Sequence, residues 1–131
     1  MNDRITKKER GLIKGCLRRV FSRSELRQRV LAKSIMVGYS NPERKRVTKW
    51  SKCATCERLD ATYKMEVDHI NPVVPIAIPF ESMNIDDVID RIWCQEHLLQ
   101  VLCETCHDTK TKEENAERRR FKKERVKNEK S

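Results

Sequence analysis

Val67-Asp68-His69-Ile70 and Leu102-Cys103-Glu104-Thr105-Cys106-His107 decide how the rest of the chain is read. The second stretch contains a Cys-x-x-Cys pair, and Cys53-Ala54-Thr55-Cys56 supplies another. Two such pairs read as a structural Zn²⁺ site, because a closed tetrahedral centre takes four soft thiolates. Asp68 and His69 lie between the pairs, and His107 directly follows the last cysteine. One carboxylate and two imidazoles in these places form a second, open cluster of metal-ligand and proton-transfer groups.

The segments around these stretches place them on elements. Tyr63, Met65 and Val67 alternate with Lys64, Glu66 and Asp68, which predicts a strand over 61–67. That strand delivers Asp68-His69 to its end, where Asn71-Pro72 stops it. Neighbouring strand residues point to opposite faces, so the two side chains share a site only if the chain bends, and the proline permits a bend. Leu98 to Leu102 is the second strand, paired with the first. Cys103 and Cys106 turn the chain into the last helix. Consecutive helix residues differ by about 100°, so Cys106 faces the zinc while His107 faces the open cluster. His107 replacing a cysteine in the tetrad is the minor alternative.

Upstream, Leu12, Ile13, Cys16, Leu17, Val20 and Phe21 form an apolar stripe that predicts a helix from about Thr6 to Phe21. Gly11 and Gly15 weaken it, and Cys16 reads as a small buried hydrophobe. Ser22 with Glu25 fits a capping box, opening a helix to about Ser34 that buries Leu26, Val30 and Leu31. Asn41-Pro42 marks a turn. Trp50 either stacks on a base or, as favoured here, packs on the cysteine knuckle. Between the two strands, Val73 to Phe80 is apolar but broken by Pro75 and Pro79, and lies extended over the core. Asn84 caps a helix carrying Ile85, Val88, Ile89, Ile92 and Trp93 on one side. Asp86, Asp87 and Asp90 form its solvated face. Cys94 and His97 follow without a motif partner. Beyond His107 only Ala116, Phe121 and Val126 are apolar, so the end is a charged projecting helix or a frayed tail.

A chain of 131 residues suits one domain. With 5% aromatic and 37% charged residues its core must be small, a shortage that a structural metal offsets. No apolar run is long enough for a membrane span or a signal peptide. A cytoplasmic location is expected, in keeping with cysteines spent on metal rather than disulfides. The net charge of +9 is unevenly placed. Residues 1–52 carry 16 Lys/Arg against 4 Asp/Glu, 53–109 carry 3 against 11, and 110–131 carry 10 against 5. Basic flanks around an acidic, metal-capable centre suit a polyanion gripped by its phosphates. Arg44, Lys45, Arg46, Lys49, Lys110, Lys112, Arg118 and Arg119 are the expected contacts.

The order Cys-x-x-Cys, Val-Asp-His-Ile-x-Pro-Val-Val, Leu-Gln-Val-Leu-Cys-x-x-Cys-His, then Lys-Thr and Glu resembles the HNH endonucleases, above all the small stand-alone proteins of bacteriophages. The likeness spans about Cys53 to Glu114, roughly half the chain. It implies a ββα-metal core, which with the cysteine pairs and the charge pattern predicts an α+β fold: a zinc-stapled core over 53–115, a basic helical extension over 1–52, and a basic helix or tail over 116–131. It also implies hydrolysis of DNA phosphodiesters with a divalent ion, in the cytoplasm of a host cell if phage-encoded, leaving 5′-phosphate and 3′-hydroxyl ends. His69 is then the general base, since a neutral imidazole with a pKa near ~6.5 is suited to take the water proton. Asp68 and His107 hold the catalytic ion, Mg²⁺, Mn²⁺ or another transition metal. One departure stands out: the family's Asn before Leu-Gln-x-Leu-Cys is Leu98 here, which can neither bind metal nor hydrogen-bond a loop. The competing reading is a catalytically inactive, zinc-stabilised DNA-binding or interaction module.

Overall fold

The computed structural model describes residues 4–130. The chain is mixed α+β, with four α-helices and two small antiparallel sheets. Helix α1 spans Lys7–Ser22, and Thr6 and Glu9 close a reciprocal capping box at its start. Helix α2 spans Glu25–Ser34. Its N-cap is Ser24, whose hydroxyl accepts from the Arg27 amide, not Ser22 as the sequence predicts. Helix α1 runs on to Ser22, whose hydroxyl bonds back to the Arg19 carbonyl, so the capping role falls two residues later.

Strands β1 (Trp50–Lys52) and β2 (Leu59–Ala61) pair as one hairpin around the first cysteine knuckle. At its tip Glu57 takes φ 65°. The left-handed region costs a non-glycine residue about 1–2 kcal/mol. The turn is held by Cys53 N–H to Arg58 O at 2.9 Å and Glu57 N–H to Cys53 O at 3.1 Å. The single strand expected over 61–67 is therefore two. Thr62–Lys64 is a 3₁₀ turn, and β3 begins at Glu66 and ends at His69. The break has a polar cause: Thr62 donates its N–H to Lys49 O, and its hydroxyl bonds the fully buried Ser51 hydroxyl at 2.7 Å.

Strand β4 (Leu99–Leu102) pairs with β3 as expected, and the pairing is antiparallel, with Asp68 opposite Gln100 and His69 opposite Leu99. Between them Asn84 caps α3 (Ile85–Ile92) as read, accepting from the Asp86 amide. Helix α4 follows β4 directly and is continuous from Glu104 to Lys130, with no residue fully buried. No helix among the described residues is long and apolar enough to cross a membrane.

The core has two adjoining parts. Phe21, Leu26, Val88, Ile92 and Leu99 form one, joining α1, α2, α3 and β4. Met65, Val101, Leu102, Cys53 and Cys103 form the other, beneath the cysteines. Fully burying a side chain such as Met65 or Leu102 stabilises by about 1.5–3 kcal/mol. The apolar stripe of α1 is wider than the face it buries. Leu12 and Val20 are 61% and 59% exposed, and Cys16 is exposed rather than buried. Of the stripe, Phe21 is buried and Ile13 and Leu17 are half-buried, and off the stripe Arg10 is buried as well. Trp50 is buried, its indole N–H on Val47 O and its ring against Tyr39 and Arg44, so it is not a stacking platform.

Candidate functional site

The two Cys-x-x-Cys pairs meet. Ligand atoms of Cys53, Cys56, Cys103 and Cys106 all lie within 4.8 Å of one another. Cys53 sits at the β1–β2 hairpin and Cys103 between β4 and α4, while Cys106 lies in the first turn of α4. The tetrad thus ties the first sheet to the second. Tetrahedral Zn–S bonds of about 2.3 Å set sulfurs about 3.8 Å apart, and Cys56 Sγ and Cys103 Sγ are 3.8 Å apart. The donor set therefore fits a structural metal such as zinc. Burial pushes the Cys53 thiol up, but backbone N–H groups of Cys103, Cys56 and Thr55, with the Cys56 thiol, outweigh it and bring it down to about 6. The Cys106 thiol is pushed up to about 12, first by its hydrogen bond to Cys103 and then by burial.

A cavity of about 450 Å³ is lined by Asp68, His69 and His107 together. Asp68 and His69 are consecutive on β3, yet both reach the wall, as do Pro72 and Val73. The His69 ring is fixed from two sides. Its Nε2 lies 2.7 Å from the Ile92 carbonyl at the end of α3, and its face meets Phe21 at 5.0 Å between centroids. A carbonyl only accepts, so the neutral ring carries its proton on Nε2 and leaves Nδ1 as a free lone pair. The α3 segment thus sets a tautomer.

Asp68 is equally constrained. Gln100, opposite it on β4, donates from Nε2 to Asp68 Oδ2 at 3.0 Å. The Lys110 ammonium stands 3.1 Å from the same oxygen and 3.1 Å from the His69 carbonyl, and pairs with Glu114 as well. Burial alone would lower the Lys110 pKa, but the Glu114 and Asp68 carboxylates hold it above the usual lysine range. A cation is therefore already enclosed by oxygens beside Asp68. His107, half-buried, is set by the first turn of α4, its N–H on Cys103 O at 2.9 Å. Asp68 and His107 both line the cavity, a carboxylate and an imidazole of the kinds that bind hydrated divalent ions.

The expected polyanion contacts divide. Arg118 lines the cavity and donates to the Val74 carbonyl at 2.8 Å. Lys110 is turned inward onto carboxylates rather than free for phosphate. Lys112 and Arg119 are exposed on α4. Arg44 lies over Trp50 and near Asp60, and Lys45, Arg46 and Lys49 are exposed beside it. Lys14, Arg18 and Arg27, which are not among the expected contacts, also line the cavity. The signal for them was the excess of Lys/Arg over residues 1–52. His97 is exposed in a 3₁₀ turn. Leu98 closes that turn, and its carbonyl accepts the Ile70 N–H at 2.9 Å, so the backbone pins the chain after His69 whatever the side chain. Comparison with protein-family models, curated proteins and solved structures finds no match.

Proposed function

We propose that the chain is a metal-dependent endonuclease hydrolysing DNA phosphodiesters in the Asp68/His69/His107 cavity. The observation that carries this reading is one cavity lined by a carboxylate, a tautomer-fixed imidazole and a second imidazole, together with Lys14, Arg18, Arg27 and Arg118. The β3–β4 pair running into α4 beside a four-cysteine centre supports the ββα-metal likeness of the sequence. His69 Nδ1 takes the proton of the attacking water, and the Ile92 carbonyl stabilises the imidazolium that results. Asp68, oriented by Gln100, and His107 would hold a divalent ion, which supplies positive charge to the phosphate and the leaving oxygen. The ring of guanidinium and ammonium groups neutralises the backbone on either side of the bond.

Supercoiled plasmid incubated with Mg²⁺ or Mn²⁺ is the test. Wild type should nick it, and His69→Ala should lose about 10²–10⁴-fold in rate while retaining DNA affinity, because the base adds little ground-state binding. No cleavage by wild type with any divalent ion would exclude the enzyme. The second reading, a zinc-stabilised DNA-binding module, rests on Leu98 in place of the motif asparagine and on the Lys110 ammonium beside Asp68.

A further inference from the structure

The catalytic cavity does not end at Arg118. It shares Lys14, Val74 and Arg118 with a second groove of about 520 Å³ that runs between α1 and α4, along the 76–80 segment. Six Lys/Arg side chains line that groove against Glu81 and Glu129. Arg118, Lys122 and Arg125 stand at i, i+4 and i+7 on α4, so they form one row about 10.5 Å long. Two donors in this row lack acceptors: Nε of Arg118 and Nε of Arg125 are both shielded from solvent and make no hydrogen bond. A shielded N–H without an acceptor is unfavourable until one arrives. At the junction of groove and cavity, Lys14 is crowded by like charge. Its ammonium is held below the usual lysine range by burial and then by Arg18 and Arg118, with Glu81 opposing. The floor is apolar, with Ile76, Ile78, Pro79 and Val126. Basic walls over such a floor match a sugar–phosphate strand, whose oxygens are acceptors only and whose sugars are largely apolar.

We infer that the α1–α4 groove is a backbone track for DNA, guiding the strand on one side of the scissile bond into the cavity, with phosphate oxygens accepting from Arg118 and Arg125. What happens at the inner end of the track rests on the nuclease reading; the binding itself does not. Phosphate oxygens engaging the two guanidinium groups, with a small side-chain shift that opens each Nε–H to them, would relieve both orphan donors and the Lys14–Arg18–Arg118 repulsion at once, which water-exposed lysines elsewhere on α4 do not require.

The test measures fluorescence anisotropy of a labelled DNA strand longer than the groove, bound to the full chain carrying His69→Ala so that the probe stays intact. Arg125→Gln and Lys122→Gln should each flatten the slope of log affinity against log salt by about one. Arg125→Lys should keep the slope yet weaken binding, because it keeps charge and loses the Nε donor. Arg58→Gln, outside the groove, should change neither. Circular dichroism confirms that α4 is intact in each variant. Unchanged slopes for Arg125→Gln and Lys122→Gln would overturn the track, as would displacement of the DNA by poly-glutamate at equal charge concentration. Plasmid nicking by wild type is scored separately. Groove-dependent binding without nicking keeps the track and removes the nuclease, and nicking with groove-independent binding does the reverse.

Discussion

Replacing Lys110 with methionine should make the Asp68 site bind divalent ions more tightly. The Lys110 ammonium is 3.1 Å from Asp68 Oδ2 and 26% exposed. A divalent ion held on the same carboxylate at about 2.1 Å would stand within about 5 Å of it. At about 5 Å, a double and a single positive charge repel by about 2 kcal/mol in bulk water and by about 7 kcal/mol at an effective dielectric constant near 20. Partial exposure argues for the lower end. At about 1.4 kcal/mol per decade, Lys110→Met then tightens binding by at least about tenfold. The Asp68 and Glu114 carboxylates left without a counter-ion act in the same direction. Mn²⁺ titration followed by electron paramagnetic resonance reads the affinity directly, with the cysteine site already filled by zinc and silent. Lys110→Arg keeps the charge and should show the wild-type affinity. An affinity for Lys110→Met equal to or weaker than wild type would refute the reasoning, because Lys110 would then not compete with the ion.

Cys103→Ser should release the metal and unfold the core. Atomic absorption should find about one zinc per wild-type chain, and cooperative melting of a metal-free wild type would count against the tetrad. Leu102→Ala removes a fully buried side chain beneath that centre and should cost about 2–5 kcal/mol in urea unfolding; a loss well under 1 kcal/mol would show that the site collapses freely. Leu98→Asn should leave cleavage within a few-fold of wild type, since the Ile70–Leu98 backbone bond and Gln100 already hold the loop and Asp68. A large gain in nicking rate would show that the leucine has cost the site its organisation.

What was legible in the sequence follows range and chemistry. The cysteine tetrad and the β3–β4 pairing were readable because spacing and alternation are local and admit few solutions. The 3₁₀ turn at 62–64 was not, because its cause is a hydroxyl chain from Ser34 through buried Ser51 to Thr62, and alternation over 61–67 is blind to it. Cys16 was misplaced because a stripe of six apolar residues says which side of α1 faces inward, not how much of it finds a neighbour. Asp68, His69 and His107 were nameable by type, but the groups that hold two of them were not. The Ile92 carbonyl is 23 positions from His69, and Gln100 is 32 from Asp68. Lys110 read as a phosphate contact by its charge, while its position on α4 commits it to two carboxylates.

Helix α4 carries parts of three sites in succession: Cys106 at the tetrad, His107 and Lys110 at the cavity, and the Arg118–Arg125 row at the groove. All of them are therefore held in one rotational phase. A single residue inserted at exposed Ala116 would turn everything beyond it by about 100° and push it out by about 1.5 Å. The cysteines, His107 and Lys110 would stay in place, while the basic row, with the Arg118 that also lines the cavity, swung away from α1. Seven inserted residues would bring the row back to within about 20° of its original bearing, displaced by about 10.5 Å. Length variation in this helix should be tolerated only in steps near whole turns, which makes the spacing between His107 and Arg118 as much a part of the site as the residues themselves.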